Sequence, residues 1–484
     1  MDDPHRLFHF WWLKRLAPLS LLMLGLMAGS YWWVGYHAKQ RLAEETALWS
    51  GMPVLQPHDT GGTPADMADP SNPAFHLRAA ITALPAPTPA QMSWDNKDRS
   101  WPPLSAEDVA VIRSFQPGMR ASFDALSAAG EAAEAKPYLW ADGPVNVLML
   151  LPNFRPLREL AYRSSWALLL AHHEGDFQRM LAHARNVRTL SDGSITHGQT
   201  LVSTLVSAGI ETIRHHRLME AAGHVPEHRT LEEELALWRS HRQEVRELID
   251  RLLAPRYYER ATVSGYEGEW VAAHSLRDMP GGWGIPTRNV LTAPMLDANT
   301  ADLLRTYRTA WHILSEHHPY PQTIAALEEI PRPPRVASLA GLSTRFAFHE
   351  FIVSHDRPAV SFVRTRTSGH AAAMALATRL FEADTGRLPE TLEELVPDYL
   401  PHVPADPFDA DRGPMRYRVI EGLPIVYSIG HDGRDDGGNV NHSEDAYRGN
   451  LRDDYVFPLR FPPEMDYDPL EWLRKRQAAL QEQP

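Results

Sequence analysis

The chain has 484 residues and a formal net charge of −13, from 48 Lys and Arg against 61 Asp and Glu. At about 150 residues per domain this length calls for two or three domains, and 43% hydrophobic with 23% charged residues excludes a chain that stays unfolded throughout. The acidic balance argues against nucleic acid as a partner, because phosphate binding needs a basic surface. The absence of cysteine excludes disulfides, thiolate metal sites, iron–sulfur clusters and a cysteine nucleophile.

No charged residue lies between Leu16 and Tyr36, and most of that stretch is apolar. As a helix at about 1.5 Å per residue it spans roughly 30 Å, the thickness of a bilayer core. Trp11 and Trp12 precede it, and Tyr31, Trp32, Trp33 and Tyr36 close it, as in the aromatic belts of a spanning helix. The run is longer than a signal-peptide core and lacks a cleavage pattern, so it reads as an uncleaved anchor. Arg6, Lys14 and Arg15 lie before it, Lys39 and Arg41 after it. The excess of cations on the N-terminal side predicts a cytoplasmic tail over 1–15 and an extracytoplasmic, periplasmic bulk. The expectation is therefore a single-pass inner-membrane protein that meets the lipid bilayer through residues 16–36. Gly25 and Gly29 form a GxxxG, which reads either as a homodimer face or as the ordinary glycine content of a membrane helix.

Residues 37–104 read as a linker and an irregular segment. The part from 50 to 75 is rich in Pro, Gly, Asp and Thr, and 84–104 holds Trp94 and Trp101 among prolines. From Ser105 the pattern is helical, and 105–354 reads as an all-α domain of helical hairpins. Ser105 to Asp108 resembles a capping box for 106–115, and 118–135 is alanine-rich. The segments 156–173 and 177–190 form a predicted hairpin around Gly175-Asp176, with Leu157, Ala161, Leu168 and Leu169 facing Phe177, Met180, Leu181, Ala184 and Val187. Another helix covers 199–222, with Leu201, Leu205, Ala208 and Ile213 as its apolar positions. Over 230–254 the spacing of Leu231, Leu235, Trp238, Val245, Ile249 and Leu252 predicts one continuous packing seam, with Arg242 pairing an acid or snorkelling. Further helices are expected at 298–317, 321–329 and 338–354.

The texture changes over 355–460, which reads as a small α+β module. A helix at 357–385 ends at Gly386 and Pro389, and Thr391 to Glu394 looks like a capping box. Two strand-like runs, 415–420 and 424–429, flank Glu421-Gly422 as a β-hairpin, and 451–459 closes the module. The tail 461–484 carries a short helix at 470–481. The fold class expected is mainly α, with one transmembrane helix, an all-α domain and this small C-terminal module.

The order of elements in the module carries a resemblance. Asp384-Thr385-Gly386-Arg387-Leu388-Pro389 is followed by Leu-Glu-Glu-Leu-Val-Pro-Asp-Tyr-Leu, Pro-Ala-Asp-Pro-Phe and Arg-Tyr-Arg, then by Val-Tyr-Ser-Ile-Gly-His-Asp-Gly with Asp-Asp-Gly-Gly. Across about 368–457 this resembles the C-terminal region of the major pseudopilin of type II secretion systems. The chain as a whole is similar to a type of uncharacterised membrane-anchored bacterial envelope protein. The resemblance implies a calcium-binding C-terminal loop, with a ligand at Asp432 and others returning at Asp453 and Asp454. The chain departs from that family in two ways: no prepilin leader precedes Leu16, and a helical domain separates the anchor from the module.

The loop from 430 to 445 itself holds Asp432, Asp435, Asp436 and Asn439 among glycines. Calcium takes six to eight oxygen ligands, so this composition reads either as a calcium site or as a solvated acidic turn, and the spacing is not that of an EF-hand. The candidate metal ligands are Asp432, Asp435, Asp436, Asn439, Asp453 and Asp454. Histidine offers less. His172-His173, His215-His216 and His317-His318 are adjacent pairs that point about 100° apart on a helix, and His224 and His228 are separated by Pro226. No nucleophile elbow, phosphate loop or Ser-x-x-Lys is present, and no catalytic residue is assigned. The leading expectation is a membrane-tethered extracytoplasmic binding or scaffold protein with an envelope protein partner. A secretion-associated pseudopilin-like component and an envelope hydrolase are the alternatives.

Overall fold

The computed structural model describes residues 4–51, 62–88, 91, 104–140, 154–198, 201–254, 293–316, 319–330, 356–420, 422–439, 454–461 and 475, with the side chains of 4–20, 197–198, 295 and 356–357 outside that description. The described chain is mainly helical with one small three-stranded sheet, and its contacts divide it into two compact units.

The smaller unit contains α1 (Pro4–Ser50) and α9 (Ala293–Ser315) as far as Thr309. The helix expected over 16–36 is thus one part of a 47-residue helix. Its two described parts differ. Leu21, Leu22, Met23, Leu24, Leu26 and Met27 are exposed, and Trp32 is 72% exposed. From Gly35 onward the helix is packed. A Cβ at Gly35 would lie 3.0 Å from Pro294 Cγ. Ala38, Leu42 and Trp49 then recur at helical spacing as a buried stripe. Trp49 Nε1 donates to the Leu304 carbonyl at 3.0 Å, and Arg308 makes two hydrogen bonds to Glu45. Both helices advance together through these contacts, so they run parallel. Among the described residues no helix is long and apolar enough to cross a membrane. The first residues of the expected span, 16–20, have their side chains outside the described set.

The larger unit begins where a linker was expected. Residues 62–82 are folded, with a short 3-10 turn at Asp66–Ala68 and α2 (Pro73–Thr82). Asn72 caps α2 by accepting from Ala74 N at 3.0 Å, and its Nδ2 donates to the carbonyls of Asp66 and Leu139. Asn, Pro and Asp here serve helix initiation and turns, which gives a packed segment the composition of a linker. Residues 52–61 and 92–103, including Trp94 and Trp101, lie outside the described residues.

Next comes α3 (Ala106–Ala135), opened by the capping box between Ser105 and Asp108. It continues through Pro117, and burial of Phe115, Met119, Phe123 and Leu126 offsets the lost hydrogen bond. The hairpin of α4 (Phe154–Glu174) and α5 (Phe177–Gly198) forms as expected. Gly175 takes a left-handed φ of 76°, and Asp176 accepts from Arg179 N. All nine apolar positions named for the hairpin are buried.

Two expectations need correction. In α6 (Leu201–Gly223) Leu205 and Ile213 are only half-buried, while Ser203, Thr204, Ser207, Glu211, Arg214 and His215 are buried. This helix packs against α4, α5 and a later helix at once, so its polar face is covered as well. The seam at 231–252 is not continuous. It breaks at His241 into α7 (Leu231–Ser240) and α8 (Arg242–Leu253). Ser240 Oγ bonds the Leu237 carbonyl and His241 stacks on Phe177. Arg242 then pairs with Asp384 at 2.7 Å, as expected for a charge on a seam.

After α10 (Tyr320–Glu328), the helix expected at 338–354 lies outside the described residues. The 30-residue α11 (Asp356–Thr385) lies along α6. Its buried run from Ala371 to Ala377 belongs to the same core as Ile112, Leu168, Met180 and Trp238. Short side chains let the two helices approach closely. Gly386 ends α11 with φ 72°, and Leu392–Leu395 is a 3-10 turn without the side-chain cap expected at Thr391. The hairpin forms as β1 (Arg416–Ile420) and β2 (Leu423–Ser428), and β3 (Tyr455–Pro458) pairs antiparallel with β2. The helix expected at 470–481 lies outside the described residues.

Leu77, on α2, is completely buried. Leu77→Ala is expected to destabilise the larger unit by about 2–5 kcal/mol, the usual cost of a core leucine. Denaturant unfolding of the full chain in detergent measures it. A loss of only a few tenths would mean that 62–82 is a linker after all.

Candidate metal centre and the buried polar network

The C-terminal module is organised by an aspartate that composition did not single out. Asp406 lies in Pro-Ala-Asp-Pro-Phe, and its carboxylate is fully buried. It accepts from Ser428 Oγ at 2.6 Å, Ile429 N at 2.9 Å, Phe408 N at 3.0 Å and Arg416 Nη1 at 3.1 Å. Burial pushes this carboxyl up despite those bonds. Asp406 thereby ties two separated sequence motifs into one structure. Arg416 reaches further, to Asp409 and Asp435. One guanidinium thus pairs with three carboxylates at the base of the acidic loop.

The candidate ligands are placed as follows. Asp432 accepts from Arg434 N at 3.0 Å, which folds it into its own turn. Asp435 Oδ1 accepts from Gly437 N, and its Oδ2 faces Arg416. Asp436 is exposed, Asn439 is half-buried, and Asp453 lies outside the described residues. Asp454 is buried. Its Oδ2 accepts from Gly438 N at 2.7 Å, while its Oδ1 has no hydrogen bond of good geometry among the described residues. Burial, and then the charges of Asp435 and Asp436, push its carboxyl up to about 6. An orphan carboxylate oxygen near two further carboxylates is a hard donor set suited to calcium. Among the described residues, however, no three acidic or histidine side chains converge closely enough to hold a metal ion. Asp435 is committed to Arg416.

A second polar cluster sits deep between α6 and α11. Glu211 is 0% exposed. Arg214 Nε donates to its Oε2 at 2.9 Å, and His215 Nε2 lies 3.2 Å from the same oxygen. Among the described residues Oε1 accepts no hydrogen bond, and Arg188 lies 3.9 Å from it. Burial works to raise the Glu211 carboxyl, but Arg214, His215 and Arg188 outweigh it and hold it well below the carboxylate range. On its other side, His215 Nδ1 lies 2.9 Å from Ser368 Oγ. Serine, imidazole and carboxylate stand here in the order of an acyl-transfer triad. Their surroundings make them a structural bridge. Ser368 Oγ donates to the Thr365 carbonyl, and Ser368 is 3% exposed. A Cβ at Gly369 would lie 3.1 Å from the imidazole. The bridge continues along the parallel helices, with Thr212 bonding Thr365 and Arg379 bonding the Ala222 carbonyl. The Glu-x-x-Arg-His spacing, which places three ionisable groups on one helical face, was the signal available for this cluster.

A third cluster closes the α4–α5 turn. Glu234 accepts from Trp238 Nε1 at 2.6 Å, lies 2.8 Å from His172 Nε2 and pairs with Arg229, whose guanidinium also bonds the carbonyls of His172 and His173. Arg229 thus satisfies the free carbonyls at the end of α4. Burial opposes ionisation of Glu234, but these partners hold it down at about 2. His173 and His228 face each other with ring centroids 4.6 Å apart.

No family model, no curated protein and no solved structure matches the chain.

Burial holds His173, His183 and His216 down at about 4, and His224 and His370 at about 3. The unfolded chain takes up these protons below about 6.5, while the native state refuses them. Their stabilising contribution is therefore complete above pH 6.5 and is lost as pH falls toward 4 and 3. Asp454 and Asp406, whose carboxyls burial raises, act in the opposite sense, two groups against these five imidazoles. Urea midpoints of the full chain are expected to fall steadily from pH 7.5 to 5. A midpoint that is flat or rises over that range contradicts the burial of these imidazoles. Glu211→Gln leaves Arg214 uncompensated in the interior, and a loss of about 3–5 kcal/mol is expected. An unchanged unfolding midpoint would show that the cluster carries no stabilisation.

Proposed function

We propose that the protein is a membrane-tethered extracytoplasmic scaffold, anchored through residues 16–36, whose C-terminal loop takes a calcium ion. The observation that carries the anchor is the change along α1 at Gly35. Before it, the described large apolar side chains are turned outward over two turns and more. After it, the same helix is packed against α9. A continuous exposed apolar patch is a liability in water unless lipid or protein covers it. In this reading the aromatic closure at Trp32, Trp33 and Tyr36 lies at the bilayer interface, next to the start of the packed part. Well-bonded helices with a buried core suit contact with another envelope protein. The Ser368–His215–Glu211 row lends no support to the hydrolase alternative, because all three side chains are buried. The pseudopilin-like reading draws on the long helix followed by a three-stranded sheet knit together by Asp406. In this chain that helix is already committed to α6.

An alkaline phosphatase fusion after residue 75 is expected to be active in cells and one at residue 8 inactive. The reverse pattern would remove both the localisation and any periplasmic partner. For the ion, Asp454 supplies the orphan oxygen, with Asp435 and Asp436 beside it. Calcium that binds only the native state stabilises it by about 2.7 kcal/mol at a hundredfold excess over Kd. Melting of the full chain in detergent is expected to rise with calcium over chelator, and Asp454→Asn is expected to abolish the rise. No rise in the natural chain, or an equal rise in the variant, leaves a solvated acidic turn.

A further inference from the structure

A cavity of about 210 Å³ lies within the larger unit, between α5, α8 and the end of α3. Its construction follows from α5 and α8 running parallel. At one end Phe177 stacks on His241 with centroids 5.1 Å apart, and Gln178 Nε2 donates to Glu244 Oε1 at 3.2 Å. One turn on, Leu181 and Leu248, both buried, supply an apolar floor. One turn further, Arg185 and Arg251 line it, with Glu247 on α8 and Glu134 from α3.

The charges at this hollow are not spent on one another. Arg185, Arg251 and Glu134 form no ion pair or hydrogen bond among the described residues, and Glu247 accepts only from Gln243. Elsewhere on the same helices exposed arginines are paired, as Arg179 is with Glu174 and Arg242 with Asp384. Two guanidiniums lining one hollow suit a carboxylate, which accepts two parallel N–H bonds from a planar fork. The carboxylates in the same lining suit an ammonium. The leucine floor suits an aliphatic or aromatic side chain. The volume falls short of the roughly 300–1,000 Å³ typical of drug-sized ligands, so the occupant is small.

We propose that this cavity binds a free α-amino acid with an apolar side chain. Its carboxylate lies on Arg185 and Arg251, its side chain on Leu181 and Leu248, and its ammonium faces Glu134 and Glu247. The proposal rests on the cavity alone and stands apart from the anchor and the calcium loop. A peptide C-terminus offers the same carboxylate and side chain but no adjacent ammonium, so a blocked amine separates the two sources.

The test is isothermal titration of the full chain in detergent with L-leucine, L-methionine and L-phenylalanine. At least one is expected to bind saturably with one equivalent per chain. N-acetyl-leucine and leucinamide, each lacking one charge, are expected to bind at least about tenfold more weakly than leucine, the worth of one good contact. Arg185→Ala and Arg251→Ala remove exposed side chains. Each is expected to weaken binding about tenfold while the melting temperature in the absence of ligand stays put. Two results overturn the proposal: no saturable binding by any of the three at about 10 mM, well above millimolar affinities, or binding that survives unchanged in the double arginine variant. Equal binding of N-acetyl-leucine transfers the site to peptide ends and also overturns it as stated.

Discussion

The larger unit is built around a carboxylate that has to be neutralised inside the protein. Glu211 sits on a helix that is covered on several sides, and its charge is met by Arg214 and Arg188 with His215 beside them. Burying an ion is unfavourable unless its partners are held in good geometry. Holding them requires α11 to lie along α6 in one register, because His215 is fixed from behind by Ser368 and packs on Gly369. An apolar interface of the same area tolerates sliding, whereas this one does not. The alanines of α11 from Ala371 to Ala377 then become necessary, since longer side chains would push the polar groups apart.

The same logic of a charge meeting several partners recurs at smaller scale. Arg229 and Glu234 lock the α4–α5 turn, and Arg416 gathers Asp406, Asp409 and Asp435 under the acidic loop. In the loop the neutralisation is incomplete, and among the described residues one oxygen of Asp454 lacks a hydrogen bond of good geometry. The arrangement is therefore stiff at the hairpin and electrostatically unfinished at its far side.

Much of this was legible in the sequence where local chemistry alone decides. The hairpin at 415–429 follows from alternation around Glu421-Gly422, the α4–α5 turn from Gly175-Asp176, and the start of α3 from Ser105 and Asp108. Three features were not legible, each for a physical reason. Apolar periodicity marks the one face of a helix that meets hydrophobic neighbours, so it picked Leu205 and Ile213 on α6 and missed a polar face buried by a second set of helices. Composition treats Asn72, Pro73 and Asp66 as linker residues, although capping and turn formation use the same residues inside a packed segment. Regular spacing from Leu231 to Leu252 carries no information about a break that depends on Phe177 stacking on His241 from another helix. Asp406 was visible only as part of a motif, because its four partners lie up to 23 residues away.

The register between α6 and α11 also bears on how the chain is made. His215 and Ser368 are separated by 153 residues, as are Thr212 and Thr365. Domains emerge from synthesis N-terminal end first. A nascent chain that has released α3 to α8 therefore presents Glu211, Arg214 and His215 to water on an open helical face. There the ions are well solvated and cost nothing, and the groove they line is wet. Arrival of α11 is the event that dries it. The charged residues thus delay closure of the interior until its proper last member is present, and a shorter product lacking α11 keeps a hydrated seam where the full chain has a core.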